Sequence, residues 1–136
     1  MRRYRGKLSG PLLDRFDLFV DVPAVDLKSL ADAPGECSEA VRVRVIAARE
    51  VQRERFAGDG SRTNAQMRPA ELNRHARLTL EPRRLLLAAC DRLGLSARGF
   101  DRVRRVARTL ADLEGSAAIE PHHVAEAVQY RATFKD

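Results

Sequence analysis

Residues 96–115 run SARGFDRVRRVARTLADLEG. At ~3.6 residues per turn, Phe100, Val103, Ala107 and Leu110 fall on one stripe, and Val106 and Leu113 widen it into an apolar band. Ser96 stands where an N-cap hydroxyl is wanted, and Gly115 where a helix stops. The stretch predicts one long helix with its band turned to a core. Working outward, Pro121 opens a last helix to about Tyr130, with Val124, Ala127 and Val128 inward. On the other side a helix starts at Pro82, buries Leu85, Leu86, Ala89 and Leu93, and ends at Gly94.

Further back, Pro69 opens a short helix that runs through Leu72 to about His75. Gly58-Asp59-Gly60-Ser61 reads as a loop. Before it, Ser38 caps a helix in which Val41, Val45, Ala48 and Gln52 recur at three and four, flanked by Val51 and Phe56. It runs to about Ala57. Residues 36–136 therefore predict a mainly α domain, a small helical bundle.

Residues 1–35 read differently. Ser9-Gly10-Pro11 precedes a helical turn through Leu12, Leu13, Asp14 and Arg15. Then Leu18, Val20 and Val22 alternate with Asp17, Phe19 and Asp21, the period of a strand, which Pro23 ends. No later stretch reads as its partner. These residues are expected to be a remnant of a larger α/β unit, with the helical part as the stable one.

A chain of 136 residues suits one modest domain. Hydrophobic residues make up 44% and aromatics only 5%, so the core must rest on Leu, Val, Ile and Ala. No apolar run nears the ~20 residues of a membrane span, and residues 1–8 do not resemble a signal peptide. Cys37 and Cys90 lack a CxxC pattern and read as two reduced thiols of a cytoplasmic protein. The net charge is +6, and of the 25 basic residues only Lys7, Lys28 and Lys135 are not arginine. Such a balance favours polyanion partners, nucleotide or nucleic acid, although arginine on helices is often just a solvated face.

Three arginines are candidates for phosphate chemistry. Arg15 sits at the turn into the strand, where its fork suits phosphate oxygens; a plain ion pair with Asp14 or Asp17 is the alternative. Arg98 lies in the first turn of the long helix, an electropositive end where a cation is disfavoured unless an anion binds nearby. Arg102 and Arg105 share its side by three-and-four spacing. Arg104 and Arg108 read as a solvated face beside Asp101 and Asp112. His122 and His123, adjacent and far from His75, do not have the spacing of a chelating pair, so no metal site is expected. No Gly-rich Lys-Ser/Thr phosphate loop occurs, and Ser9, Ser61 and Cys90 lack the partners of a nucleophile.

Two stretches carry a resemblance. YRGKLSGPLLDRFDLFVDVP, residues 4–23, resembles the end of the ATPase core in the magnesium chelatase-like AAA+ proteins of bacteria, the ComM/YifB family. SARGFDRVRRVARTLADLEG, residues 96–115, is similar to the signature helix of that family's C-terminal domain; VRVRVIAAREVQRERF, Asn64 and HHVAEAVQYR fit as well. The resemblance implies that residues 1–35 end an AAA+ ATPase core and residues 36–136 form its C-terminal helical lid. It implies a larger ATPase, assembled with itself as a hexameric ring, that uses ATP and Mg2+ through residues absent here and acts on DNA in natural transformation by translocation or branch migration. On its own the chain cannot bind or hydrolyse ATP. Arg15 then matches the arginine finger acting on a neighbouring subunit, Arg98 the second sensor at the nucleotide phosphate, with Arg102 a competitor for that place. A metal-insertion chelatase motor and a non-catalytic helical module for DNA or protein remain the alternatives.

Overall fold

A computed structural model describes residues 15–24, 35–57 and 62–132. The described residues form five α-helices: α1 (Ser38–Arg55), α2 (Pro69–His75), α3 (Leu80–Leu93), α4 (Ala97–Glu114) and α5 (Pro121–Ala132). A 3-10 turn, Asn64–Gln66, stands between α1 and α2. The expected loop at Gly58–Ser61 and the expected turn through Leu12–Asp14 lie outside the described residues.

Helix α4 is the central element. It packs on α5, α1, α2, α3 and the 3-10 turn. Most of its predicted band does this: Val103 and Ala107 are fully buried, with Ala111 beside them, and Phe100, Val106 and Leu110 pack partly buried around them, whereas Leu113 is exposed. Small residues at 107 and 111 let α5 approach, which brings Val124, Ala127 and Val128 into the same core. Leu72, Leu86 and Ala89 close it from α2 and α3. A single parallel bridge, Leu78 to Ile119, ties the α2–α3 linker to the α4–α5 linker.

The helix ends follow sequence closely. The Ser96 hydroxyl accepts from the Gly99 N–H at 3.1 Å. Gly94 and Gly115 adopt φ of 54° and 76°, which L side chains avoid. Each closes its helix the same way: Leu95 N–H bonds Cys90 O at 3.0 Å, and Ser116 N–H bonds Ala111 O at 2.8 Å, the six-to-one bond of a Schellman stop. Two starts differ from expectation. The α1 cap is Cys37, with Ser38 already helical, and α3 begins at Leu80, so Pro82 occupies its first turn. Pro tolerates that turn because its missing N–H has no partner to lose there.

Only the C-terminal half of the expected α1 stripe is inside. Ala48, Gln52 and Phe56 are buried, whereas Val41 and Val45 are exposed and line an open cleft with Leu110, Leu113 and His122. The expected strand at 16–22 is not paired in any ladder among the described residues. Instead this extended segment lies along α5: Phe19 N–H donates to Tyr130 O at 2.9 Å, and Arg131 Nη1 donates to Phe16 O at 2.6 Å. Leu18, Val20 and Val22, its apolar alternation, are exposed.

The largest departure from the sequence reading is the fate of the arginines. Arg104 and Arg108 are buried, not solvated. Arg104 donates to Leu72 O at 2.8 Å and Ala76 O at 3.2 Å, adding a second donor to Leu72 O, which already accepts the Ala76 N–H at 2.9 Å, and serving the Ala76 carbonyl past the end of α2. Arg105 donates to Met67 O at 2.8 Å. Arg108 reaches Ser116 O at 2.6 Å and Ala117 O at 2.9 Å in the α4–α5 turn, and Asp112 at 3.0 Å. Asp112, with a fully buried side chain, takes two parallel bonds of 2.6 Å from Arg55 and one of 2.7 Å from Asn64 Nδ2. Both carboxylate oxygens are thus saturated. Burial lowers the Arg108 pKa, and the Asp112 charge offsets only part of that.

Glu71 has a separate pair. Arg62 donates to both its oxygens at 2.6 Å, and Arg68 N–H donates at 2.7 Å, so the carboxyl is held at about 2 instead of 4.5. A depressed carboxylate stabilises the fold fully above its ordinary pKa and loses that contribution as pH falls toward the folded value. The melting temperature should therefore drop between pH 4.5 and about 2, and the drop should be smaller in Glu71→Gln. An equal drop in both proteins would mean that Glu71 contributes nothing to it. Asp112→Ala strips a buried double ion pair of its anion, a loss of about 3–5 kcal/mol. That should lower the melting temperature by more than ~10 °C. Arg53→Ala, which breaks an exposed pair with Glu50, should shift it by under ~1 kcal/mol equivalent.

Candidate functional site

The three candidate arginines have different surroundings. Arg15 is exposed at the turn that opens the 15–24 segment. Arg98 is exposed in the first turn of α4, one residue past its N1 position. Arg102, one turn further, is half-buried and ion-paired with Asp17. Arg105 is turned to the Met67 carbonyl, so the row Arg98, Arg102, Arg105 is not a row of open charges. Its outer member is the one presented to solvent.

This arrangement joins two parts of the sequence that are 85 residues apart. Asp17 is two residues from Arg15, and Arg102 is four from Arg98. The Asp17–Arg102 pair therefore fixes the Arg15 segment against the N-terminal half of α4. Arg131, packed 5.7 Å over the Phe19 ring, fastens the same segment to α5. Beside the pair, Leu18, Val106, Leu110, Leu113 and Tyr130 line an apolar cavity of about 360 Å³. Of the two ion-pair readings left open for Arg15 by sequence, Asp17 is committed to Arg102. Arg15 is the residue of this segment with its guanidinium exposed.

The electrostatics suit anion contact at Arg98. The α4 N-terminus carries free N–H groups and roughly half a positive charge, and its first turn contains no acidic residue. Ser96 satisfies one of those N–H groups. A cation there is stabilised only by an anion that both groups address, such as a phosphate.

The histidines were underestimated by their spacing. The rings of His122 and His123 lie 4.0 Å apart, and both Nε2 atoms reach Glu114 Oε2, at 2.7 Å for His122. Adjacent residues on a helix point apart, but both histidines are in the first turn of α5 and reach back to Glu114 at the end of α4. Their hydrogen bonds lower the Glu114 carboxyl pKa. The donors form a compact cluster. Even so, His123 Nδ1 accepts from Glu120 N–H at 2.9 Å, which leaves its proton on Nε2 and directs that proton to Glu114. This is a capping bond of α5 with His in place of the usual Glu or Gln. A metal at Nε2 would have to displace that proton and turn the Nδ1–H against another N–H, so the cluster is suited to capping and not to ligation.

Comparison with known proteins gives a consistent picture. The family described as magnesium chelatase, subunit ChlI C-terminal, matches residues 35–131, and the one described as magnesium chelatase, subunit ChlI, matches residues 1–30. The chain is 42% identical over 135 residues to the competence protein ComM of Haemophilus influenzae, covering 98% of this chain and 26% of that protein. It is 44% identical over 132 residues to an uncharacterized protein of Mycobacterium tuberculosis, 97% of this chain and 26% of the relative. To the uncharacterized protein YifB of Escherichia coli it is 41% identical over 132 residues, 96% and 25%. The chain spans about a quarter of the length of these relatives.

The contact between the segment and the bundle is open to direct measurement. Hydrogen exchange should show the Phe19 amide slower than those of Leu18 and Val20, since it bonds Tyr130 O. In Arg102→Ala the Phe19 amide should speed up by about tenfold or more, as local opening no longer breaks an ion pair. Equal exchange in both proteins would show that Arg102 does not hold the segment.

Proposed function

The chain belongs to the magnesium chelatase-like family of the ComM/YifB type, and we propose that it forms the lid end of a ring-forming ATPase in which Arg15 and Arg98 serve one nucleotide chemistry from two subunits. In this reading Arg15 is the finger that reaches a neighbouring subunit's nucleotide. Arg98 contacts the terminal phosphate. ATP and Mg2+ are held by residues outside this chain, which contains no phosphate loop. The ring, of six copies, drives DNA translocation or branch migration during natural transformation in the cytoplasm; no described helix is long and apolar enough to cross a membrane.

The observation that carries the proposal is the Asp17–Arg102 pair. A finger works only if its guanidinium is held at a fixed position on the rigid frame of its own subunit. Here the Arg15 segment is pinned to the same helix that bears Arg98. Arg102 supplies the pin, so of the two candidates for the phosphate-sensing role Arg98 is the one left to contact a ligand. Both Arg15 and Arg98 are exposed, as groups that act across an interface must be before assembly. The chemistry asked of Arg15 is charge neutralisation on the transferred phosphoryl group. Fingers of this kind contribute ~10³–10⁵ in rate.

The test is ATP hydrolysis by the full-length protein, with and without single-stranded or branched DNA. Arg15→Ala should lose ~10³-fold or more in rate while nucleotide binding is retained. Arg98→Ala should lower hydrolysis as well. Hydrolysis that ignores DNA and is unchanged in Arg15→Ala would remove both the DNA assignment and the finger, and would leave a motor for metal insertion as the better reading.

A further inference from the structure

A second arginine-lined site lies on the other side of α4. A cleft of about 480 Å³ opens where the end of α2, the α2–α3 linker and the first turn of α3 meet α4. It is lined by Asn73, Arg77, Leu78, Arg83, Phe100 and Arg104. At ~100° per residue, Phe100 and Arg104 lie some 200–240° round α4 from Arg98. The cleft is therefore separate from the row of Arg98, Arg102 and Arg105.

We propose that this cleft seats one nucleotide of a single-stranded nucleic acid, with Arg77 and Arg83 on its phosphate. No carboxylate lines it. Arg104 meets Asp101 at 3.3 Å, but among the described residues neither Arg77 nor Arg83 is in an ion pair. Glu81, the acidic residue of the first turn of α3, does not line the cleft. Arg104 is offset by Asp101 and carbonyls, so the two guanidiniums that repel each other across the cleft are Arg77 and Arg83, and Arg83 also stands in a first helical turn, where the dipole opposes a cation. A bound anion relieves both penalties.

Size and walls narrow the ligand. The cleft falls in the ~300–1,000 Å³ range of sites that enclose a whole small ligand and is too large for a phosphate alone. Leu78 and Phe100 add an apolar wall suited to a base. In a duplex that base would be stacked and paired, so the geometry favours a single strand whose bases can turn outward. Arg74 and Arg84, both exposed on the elements that flank the cleft, extend the basic surface beyond it. Neighbouring phosphates of a strand would use them, whereas a free nucleotide would not. This inference shares with the proposed function only the choice of nucleic acid as partner, and it is tested without ATP.

The experiment is fluorescence anisotropy of a labelled oligo-dT titrated with the chain at several salt concentrations. Arg77→Ser/Arg83→Ser should weaken binding by about tenfold or more, and flatten the slope of log K against log salt by about 0.7, the share of the one phosphate no longer neutralised. Both residues are exposed, so the variant should melt with wild type. Arg42→Ser/Arg53→Ser removes the same charge from exposed positions on α1 and should weaken binding less than about threefold. Equal losses in the two variants would show bulk charge attraction and overturn the site, as would unchanged binding in the first. AMP or pyrophosphate binding that depends on Arg77 and Arg83, with no oligo-dT binding, would overturn the strand reading in favour of a free nucleotide. Failure of the ATPase test leaves this result untouched, because neither Arg15 nor Arg98 lines the cleft.

Discussion

The bundle depends on one buried carboxylate. Asp112 sits near the C-terminal end of α4 with its side chain entirely out of solvent, yet four donors reach its two oxygens from Arg55, Arg108 and Asn64. Taking such a charge out of water costs several kcal/mol, and attraction to its partners offsets this only where geometry is good and every lone pair is used. Both conditions are met. The net gain in stability is therefore modest, but the directional consequence is large. α1, the 3-10 turn and α4 can share this anion in only one relative arrangement. Asn64 ties the pieces further: its backbone N–H donates to Gln52 Oε1 at 3.2 Å, and its amide also reaches Thr109. An all-aliphatic core of Leu, Val and Ala would allow helices to slide, and this cluster opposes that.

The same logic explains why net charge is a poor guide to available charge. The chain carries +6. Within α4, however, Arg104, Arg105 and Arg108 are engaged by carbonyls and by Asp112, and Arg102 by Asp17. Each guanidinium has five N–H donors in a rigid plane, which lets one side chain close several carbonyls that a helix end leaves open. Lysine, with a point charge on a flexible stem, would do this less well. The arginine bias of the sequence is thus in part structural. The charges left for partners lie outside these staples, with Arg15, Arg98, Arg77 and Arg83 among the exposed ones.

What sequence revealed, and what it did not, follows from the range of each signal. Helix existence is a local matter, set by periodicity and stops, and Gly94, Gly115, Ser96 and Pro121 marked ends to within a residue or two. The burial of Val103, Ala107, Val124 and Val128 was equally legible. The buried arginines were not, because the i, i+4 pair of Arg108 with Asp112 looks the same on a solvated face. What distinguishes it is Arg55, which comes from another helix and lies 57 residues away. The 3-10 turn had a readable signature in Thr63 and Gln66, whose side chain accepts from Thr63 N–H at 2.8 Å. The alternation at 16–22 has the period of a strand, but no strand forms there among the described residues, since a pattern cannot pair without a neighbouring strand. The extended segment found a helix end instead.

The locked C-terminal end of α4 has a consequence for how Arg98 could report on a ligand. α4 is 18 residues long, or ~27 Å. At its far end the Schellman stop at Gly115 and the Asp112 cluster hold it to α1 and to the α4–α5 turn. Along its length Arg104 and Arg105 hold it to α2 and the 3-10 turn. A force on Arg98 therefore has two outlets. It is absorbed locally at Leu95–Ser96, where the chain passes from the Gly94 stop into the Ser96 cap, or it moves the bundle as one body. The local outlet is narrow, because Leu95 is itself packed against the core and the Gly94 and Ser96 bonds fix both sides of the turn. Rigid displacement of the whole bundle is the lower-cost response, and the Asp17–Arg102 pair would carry the Arg15 segment along with it.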